Sequence, residues 1–326
     1  MPNLEPVRFE DIQSAREVVY RRLQPTPLYE YPELSKILGC TAYVKHENHN
    51  PTGSFKIRGG LNFMASLTEE EKRRGVATAT RGNHGQSIAL AARWSGVPAT
   101  LYIPEGNNPE KNRAMEAFGA RLVVHGKDFD EARVRLESDI ADNGAVYIHP
   151  ANEPRLVAGV GTYACEIFEQ IANPDFILVP IGGGSGVSGN LLAAAHLSKN
   201  TRIIGIQAER APSVFLSWKR GEKVQTDSCE TFADGLATRV PFDLTFSILK
   251  DRIDDILLVD EEEIRQAILL LMRTTHNLAE GAGAAATAGA LKIRNRIRGK
   301  RVVLILSGGN IDRRTLERVL SREPLP

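Results

Sequence analysis

The chain has 326 residues, of which 42% are hydrophobic and 25% are charged, a composition typical of a folded globular protein. Because 41 basic and 40 acidic residues leave a net charge of +1, the sequence does not favour a nucleic-acid partner. The longest apolar runs are far shorter than the ~18 residues that cross a bilayer, and the first residues lack a signal-peptide core, so we expect a cytoplasmic protein with no membrane partner.

Short apolar runs that end in turn residues alternate with helix-like segments along the chain. This alternation requires crossover connections and predicts the α/β class, with open, mainly parallel sheets flanked by helices. The predicted strands are residues 41–45, 76–80, 99–103, 121–124, 145–149, 176–181, 202–207 and 301–306. The clearest helix spans residues 261–278, with Asp260 as its N-cap and Glu263 completing a capping box.

The length of the chain favours two packed units, since a single hydrophobic core usually stops growing near this size. A charged stretch at residues 69–74 ends at Gly75 and indicates a helix end followed by a hinge. We therefore predict a large domain from residues 1–67 and 153–326, with a small mobile domain from residues 75–148 inserted in it. Ligands of open α/β sheets bind beside the carboxyl ends of the strands, so the loops after the strands are the candidate sites.

The first unusual loop contains Lys56 and leads into a helix that Ser54 is predicted to cap. The buried face of this helix is predicted to consist of Ile57, Leu61, Met64 and Leu67. The positive end of the helix dipole would lower the pKa of an amine in the first turn. Because only a neutral amine attacks a carbonyl group, Lys56 is a candidate Schiff-base nucleophile. A solvated surface lysine is the alternative interpretation.

The second loop follows the strand at 76–80 and opens a helix. Its glycine N–H groups, together with Asn83, form a receptor suited to a carboxylate. His84 has no other ligand at metal-binding spacing, which favours a capping or packing role. Arg81 at the edge of this loop either pairs with an acidic group of a substrate or points outward in a salt bridge.

The third loop, from Gly182 to Gly189, has the glycine density that allows a backbone to approach a phosphate closely. It also matches a dinucleotide fingerprint, with Glu209 beyond the next strand, so an NAD-dependent dehydrogenase is an alternative. The fourth loop, Ser307 to Asn310, favours a different cofactor. A dinucleotide would use the third loop alone, whereas one phosphorylated aldehyde would use all four.

The four loops resemble those of the pyridoxal-phosphate enzymes of fold type II, specifically the threonine/serine dehydratases and serine racemases. The matching motifs are S-F-K-I-R-G from Ser54, G-N-H-G-Q from Gly82, P-I-G-G-G from Pro180 and S-G-G-N from Ser307. The resemblance implies a tryptophan synthase β-like fold with two open, twisted sheets, and Lys56 as the catalytic residue that holds pyridoxal 5'-phosphate as a Schiff base. The implied cofactor-binding residues are Phe55, Lys56, Asn83, Gly182, Gly183, Gly184, Ser185, Gly186, Gly235 and Ser307.

The resemblance also implies a hydroxy-amino-acid dehydratase, a threonine or serine ammonia-lyase that eliminates water across the α,β bond to give a 2-oxo acid and ammonia. Ser307 would face the pyridine nitrogen without keeping it protonated, which favours elimination over transamination. The predicted substrate-binding residues are Ser54, Arg81, Asn83, His84, Gly85, Arg133 and Asn152. Relatives of this family are commonly homodimers or homotetramers, and the same is expected here.

The chain departs from the family pattern in two respects. Arg81 stands where serine racemases have a serine that acts as an acid, which argues against two-base racemisation. Gln207 and Ser213 stand where cation-binding relatives have carboxylates, so no metal site is predicted. An amino-acid racemase, a β-replacement synthase and a non-catalytic amino-acid-binding protein remain alternatives. Because only residues 311–326 follow Asn310, we expect no C-terminal regulatory domain and a catabolic role.

Overall fold

A computed structural model describes residues 6–321 of the chain. Its strands are β1 (Leu28–Glu30), β2 (Thr41–His46), β3 (Val76–Ala79), β4 (Ala99–Ile103), β5 (Arg121–Val124), β6 (Val146–Tyr147), β7 (Phe176–Pro180), β8 (Arg202–Ala208), β9 (Asp255–Val259) and β10 (Arg301–Leu306). Its α-helices are α1 (Phe9–Val19), α2 (Pro32–Leu38), α3 (Lys56–Ala65), α4 (Glu69–Arg74), α5 (Asn83–Ser95), α6 (Pro109–Ala117), α7 (Phe129–Asn143), α8 (Pro154–Gln170), α9 (Ser185–Leu197), α10 (Ser213–Arg220), α11 (Asp243–Leu249), α12 (Glu261–Thr275), α13 (Gly281–Lys292) and α14 (Arg313–Ser321). Short 3₁₀ turns occupy Glu47–His49 and Asp234–Leu236.

The strands form two sheets, as the alternation of strands and helices predicts. The larger sheet has six strands in the order β1-β2-β10-β7-β8-β9, and the smaller has four in the order β5-β4-β3-β6. Every neighbouring pair is parallel except β1 and β2, which are antiparallel. The predicted fold class of two mainly parallel sheets flanked by helices is therefore confirmed.

The six-stranded sheet is buried on both faces, which explains the continuous apolar runs of its strands. Along β10, Val302 and Leu304 face a core cluster formed with α12 and α13, whereas Val303 and Ile305 face α8 and α9. The small residues of α13 allow this helix to lie close to the sheet. A Cβ atom on Gly289 would come within 2.3 Å of Ile206 Cδ1.

The predicted strands match the observed ones closely, with two omissions. β1 is a three-residue edge strand, too short for an alternating pattern to be recognisable. β9 contains an apolar run of only four residues, 256–259, between acidic residues. The predicted helix at 261–278 has its capping box at Asp260 and Glu263 but ends at Thr275, because His276 adopts a left-handed conformation with φ of 55°.

Helix α3 contacts helices that flank both sheets, and this contact fixes the position of its first residue, Lys56. Its predicted face of Ile57, Leu61, Met64 and Leu67 is buried. Glycines permit close approach on two sides. A Cβ atom on Gly59 would lie 2.9 Å from the Leu156 carbonyl of α8, and one on Gly60 would lie 2.6 Å from Ser87 Oγ of α5.

The smaller sheet is formed by strands between residues 76 and 147, which is the segment assigned to the small domain. The division of the chain into a large domain and an inserted mobile domain stays a prediction. Within residues 6–321, every helix falls short of the length and apolar character that spanning a membrane requires.

Candidate active site

The four loops singled out in the sequence meet at one place between the sheets. Ser54 forms a bridge with Gly308, and the Phe55 N–H donates to the Ser307 carbonyl at 3.1 Å. Asn310 Nδ2 donates to Asn83 Oδ1 at 2.8 Å, which joins the second loop to the fourth. The third loop is reached through Lys56, whose Nζ donates to Ser185 Oγ at 3.3 Å.

Lys56 is the first residue of α3, and its side chain is half-buried. Its Nζ is 5.0 Å from the centroid of the Phe55 ring. Burial lowers the pKa of Lys56 to about 8, while the nearby carboxylate of Glu280 acts in the opposite direction. A substantial fraction of the amine is therefore neutral near that pH, as a nucleophile or general base requires.

The glycine loop is held by packing and ends at an uncapped helix. A Cβ atom on Gly182 would lie 1.9 Å from the Gly235 carbonyl oxygen, so Gly235 lies against this loop. Thr245 Oγ1 donates to the Gly183 carbonyl at 2.7 Å. Gly184, with φ of 91°, is the N-cap of α9, and no side chain caps this helix. The first N–H groups of α9 are thus available to an anion.

Asn83 is oriented by a buried carboxylate that sequence reasoning missed. Asn83 Nδ2 donates to Glu280 Oε1 at 2.5 Å. Burial raises the pKa of Glu280, and the charges of Lys111 and Lys56 oppose this shift. One signal in the sequence could have found it. Glu280 comes immediately before the Gly-Ala-Gly sequence that begins α13, and glycines allow another part of the backbone to come close to such an acid.

His84 has a packing environment, in line with the role its sequence context favours. Its Nε2 lies 3.0 Å from Thr78 Oγ1, which donates to the Ile148 carbonyl. Burial lowers the pKa of His84 to about 3, so its imidazole is neutral at physiological pH. The Gly85 N–H donates to Thr80 Oγ1 at 3.0 Å. A carboxylate at this end of α5 would therefore depend on the other N–H groups of its first turn.

Ser54 is not the cap of α3, and that expectation was wrong. The N-cap position belongs to Phe55, and no side chain caps the helix. The reason is that the Ser54 backbone pairs with Gly308, which places the residue in extended structure before the helix begins. Ser54 Oγ is buried without a hydrogen-bond partner. Buried polar groups are normally hydrogen-bonded, so this hydroxyl is a candidate for binding a ligand.

The other predicted substrate-binding residues lie farther out or are engaged. Arg81 is exposed and lines a cavity of about 800 Å³ together with Glu280 and Gly235. Arg133 Nη1 pairs with Glu137 at 2.6 Å along α7. Asn152 Oδ1 accepts from the Leu244 N–H at 3.1 Å. Of these three side chains, only Arg81 lines the cavity with Glu280, and it makes no ion pair within the described residues.

The oxygens of Gln207 and Ser213 are used within the protein. Gln207 Oε1 accepts from the Phe215 N–H at 2.9 Å, and Ser213 Oγ donates to the Thr238 carbonyl at 2.6 Å. Across residues 6–321 there is no group of three or more His, Cys, Asp or Glu side chains arranged to hold a metal ion.

The site fits a phosphorylated aldehyde. Lys56 offers an amine for covalent attachment, Phe55 offers a ring beside that amine, and the N-terminus of α9 offers N–H groups to a phosphate. Ser307 is buried at the carboxyl end of β10, where it could face a bound ring. Sequence comparison identifies the class: residues 19–308 match the model of the pyridoxal-phosphate-dependent enzyme family, and the chain belongs to this family. Pyridoxal phosphate is its cofactor.

Individual relatives narrow the class further. The chain is 39% identical to an L-threonine ammonia-lyase of Thermotoga maritima over 97% of this chain and 79% of that protein. It superposes on the processed form of threonine deaminase isoform 2 from Solanum lycopersicum with a TM-score of 0.92 and 32% identity, over 97% of this chain and 95% of that one. Maize serine racemase gives a TM-score of 0.92 at 29% identity, over 98% of both chains. These relatives confirm the predicted enzyme class, a pyridoxal-phosphate-dependent ammonia-lyase of the threonine dehydratase type.

Proposed function

We propose that this enzyme dehydrates L-threonine and L-serine to the corresponding 2-oxo acids and ammonia, with Lys56 as its catalytic residue. The observation that carries the proposal is the half-buried Lys56 amine, whose pKa is lowered to about 8, 3.3 Å from the first side chain of an uncapped helix. The amine therefore lies next to the N-terminus of α9, which can bind an anion. A ligand with an aldehyde at one end and a phosphate at the other requires this arrangement.

Bound at this site, pyridoxal phosphate supplies an electron sink that makes the α-proton of an attached amino acid acidic. The neutral Lys56 amine removes this proton from the face on which α3 begins. Ser185 Oγ accepts a hydrogen bond from Lys56 Nζ and so orients the amine. Phe55 beside it keeps water away from the reacting atoms.

The substrate carboxylate is assigned to Ser54 Oγ and the N-terminus of α5. Ser54 Oγ is a buried hydroxyl without a partner. The N-cap residue of α5, Gly82, has no side chain, so the first-turn N–H groups that Thr80 Oγ1 does not engage are open. Both favour an anion. Arg81, on the wall of the adjoining cavity, is assigned to the mouth of the site, where it either attracts the carboxylate or binds an acidic substrate side chain.

The direct test is ammonia and 2-oxo acid release from a panel of L- and D-threonine, serine, 3-hydroxyaspartate and phenylserine. Lys56→Ala should abolish release and the absorbance of the covalently bound cofactor. Lys292→Ala, at an exposed lysine paired with Glu263, is the matched control and should leave both unchanged. Undiminished turnover by Lys56→Ala would refute the assignment of Lys56. Release from 3-hydroxyaspartate that is lost in Arg81→Ala would assign that arginine to an acidic side chain.

The second candidate is amino-acid racemisation, which the likeness to maize serine racemase favours. Arg81 opposes it, because an exposed guanidinium is a poor proton donor for the face opposite Lys56. Chiral analysis of the serine left after partial turnover distinguishes the two reactions. Accumulation of D-serine from L-serine faster than pyruvate forms would favour the racemase.

We also infer a cytoplasmic enzyme that works as a homodimer or homotetramer with a mobile small domain. These expectations rest on the sequence. Light scattering coupled to size-exclusion chromatography measures the oligomeric state, and a monomer at micromolar concentration would contradict it.

A further inference from the structure

Four charged side chains form a fully buried group next to α3, called the Arg58 cluster. Its members are Lys45, Glu47, Arg58 and Glu166. They come from β2, the turn after it, α3 and α8. Because two cations face two carboxylates, the cluster carries no net charge, and the mechanism proposed above does not use it.

Arg58 is the centre of the cluster. Its Nε and Nη2 donate to the two oxygens of Glu47 at 2.7 and 2.9 Å. Its Nη1 donates to Glu166 Oε1 at 2.6 Å, and Lys45 Nζ donates to Glu166 Oε2 at 2.5 Å. The planar guanidinium fixes the angle between the two carboxylates, which a lysine amine at the same place could not do.

Neutral donors complete the hydrogen bonding of the carboxylates. They are the backbone N–H and hydroxyl of Thr26, the Tyr20 hydroxyl and the Asn50 side-chain amide. Such a buried ion cluster is expensive to desolvate, and apolar side chains of equal volume often give the same stability. What the cluster adds is a fixed geometry between β2, α3 and α8.

The first link from the cluster to the active site runs along α3. Lys56 precedes Arg58 by two residues, and both lie in the first turn of the helix. Two residues correspond to about 200° of rotation, so the two side chains leave the helix on nearly opposite sides. Clamping Arg58 between Glu47 and Glu166 therefore fixes the rotation of this turn and the direction of the Lys56 side chain.

The second link runs through Tyr163 to the glycine loop. Arg58 Cζ lies 6.0 Å from the Tyr163 ring centroid, and this ring meets Phe55 edge to face at 6.1 Å. The Tyr163 hydroxyl accepts from Asn190 Nδ2 at 2.6 Å, and the same amide donates to the Gly186 carbonyl at 2.9 Å. Arg58 of the cluster thus contacts Tyr163, which is connected to the first turn of α9 through Asn190.

We propose that Arg58 is a positioning residue that aims the Lys56 amine and the N-terminal turn of α9 at the same bound cofactor. The proposal rests on the assignment of Lys56 made above. It predicts that removing the hydrogen bonds of the Arg58 guanidinium to Glu47 and Glu166 weakens cofactor binding and slows proton removal. The affinity for the amino acid should stay nearly unchanged.

The test is Arg58→Lys, which keeps the charge and loses the fork. We expect the dissociation constant of pyridoxal phosphate, measured on protein stripped of cofactor, to rise at least tenfold. We expect kcat for ammonia release from L-threonine to fall at least tenfold, with KM changed less than threefold. Arg265→Lys is the matched control, because Arg265 is also buried and forked to a glutamate, Glu262, but lies on α12.

Tyr163→Phe tests the second link and leaves the ion cluster intact. It removes one of the two acceptors of Asn190 Nδ2, and we expect weaker cofactor binding with little change in melting temperature. If Arg58→Lys does not fold, this variant decides the proposal by the same measurements.

The outcomes separate the two assignments. A loss of melting temperature equal to that of Arg265→Lys, with kcat and the cofactor dissociation constant within twofold of the unmodified protein, would show a purely structural cluster and overturn the proposal. If the unmodified enzyme binds pyridoxal phosphate but releases no ammonia from any hydroxy amino acid, the proposed reaction fails, and the cofactor dissociation constants of the variants still decide the role of Arg58.

Discussion

At the scale of single residues, the site depends on desolvation more than on charge pairing. His84 is buried and Lys56 is half-buried, and in both cases desolvation is the main cause of a lowered pKa. Both groups are therefore neutral more readily than in water. Glu280 shows the converse, since burial raises the pKa of its carboxyl group.

The first prediction concerns the pH at which Lys56 reacts. Its pKa is lowered from 10.5 to about 8, so the neutral amine predominates above that pH. The rate at which cofactor-free protein binds pyridoxal phosphate covalently should rise with pH, reach half of its maximum near pH 8 and then level off. Absorbance of the bound cofactor measures the rate. A rate still rising between pH 9 and 10.5 would contradict the lowered pKa.

Glu280→Gln provides a control for this measurement. The Glu280 carboxylate raises the pKa of Lys56 against the effect of burial. Removing that charge should move the midpoint of the pH profile to a lower value. Glu230→Gln, at a residue of the same cavity wall, should leave the midpoint unchanged.

The second prediction concerns His84 and the stability of the protein in acid. Its pKa is about 3 in the folded protein against 6.5 for an unperturbed histidine. The unfolded chain therefore binds a proton below pH 6.5 that the folded protein does not, so the free energy of unfolding falls as pH decreases. The contribution is about 1.4 kcal/mol per pH unit between the two pKa values.

His84→Gln removes the imidazole that titrates and keeps a side-chain N–H group as a donor to Thr78 Oγ1. Urea unfolding at pH 6 and pH 5 should show a smaller loss of stability in the variant than in the unmodified protein, by about 1 kcal/mol. Equal losses in both proteins would mean that His84 is protonated in the folded state.

At the scale of elements, the strands and the glycine loop that leads into α9 were predictable, and the details of their ends were not. Apolar runs identify β7, β8 and β10 because these strands are buried on both faces. Ser54 was misjudged as a cap because its pairing partner, Gly308, lies more than 250 residues away. Glu280 was missed for the same reason: its contact with Asn83 spans 197 residues, and no local pattern records it.

The third prediction concerns packing of the glycine loop. Gly182→Ala would place a Cβ atom 1.9 Å from the Gly235 carbonyl oxygen, whereas in Gly183→Ala the nearest atom, Ala151 Cβ, would be 3.3 Å away. Overpacking against rigid backbone costs about 1–3 kcal/mol. We expect urea unfolding of cofactor-free protein to show this loss for Gly182→Ala and less than about 1 kcal/mol for Gly183→Ala. Equal stabilities would mean that the loop moves away from Gly235.

At the scale of the whole molecule, an ion pair joins the part of the chain that forms the smaller sheet to the part that forms the larger sheet. Its partners are Lys111 and Asp234. Lys111 lies on α6, which follows β4 of the smaller sheet, and Asp234 lies in the segment after β8 of the larger sheet. Lys111 Nζ is 2.6 Å from Asp234 Oδ2. Burial alone would lower the pKa of Lys111, but Asp234 and Glu280 raise it above its ordinary value. The lysine is therefore charged, and its contact links α6 to the segment that carries Gly235.

The fourth prediction follows from this contact. Lys111→Met should keep the volume of the side chain and lose the link. On the prediction that the small domain is mobile, residues 75–148 would then close less tightly over a bound amino acid. We expect KM for L-threonine to rise about tenfold, which corresponds to about 1.4 kcal/mol of lost binding, with kcat reduced less than threefold and the melting temperature nearly unchanged. Lys292→Met, which removes an ion pair between α13 and α12, should change none of these.

Asp234→Asn should raise KM to a similar extent, and the double variant should be no worse than either single one, since both remove the same contact. Additive increases in KM would show that the two residues act separately and that closure does not depend on their pairing.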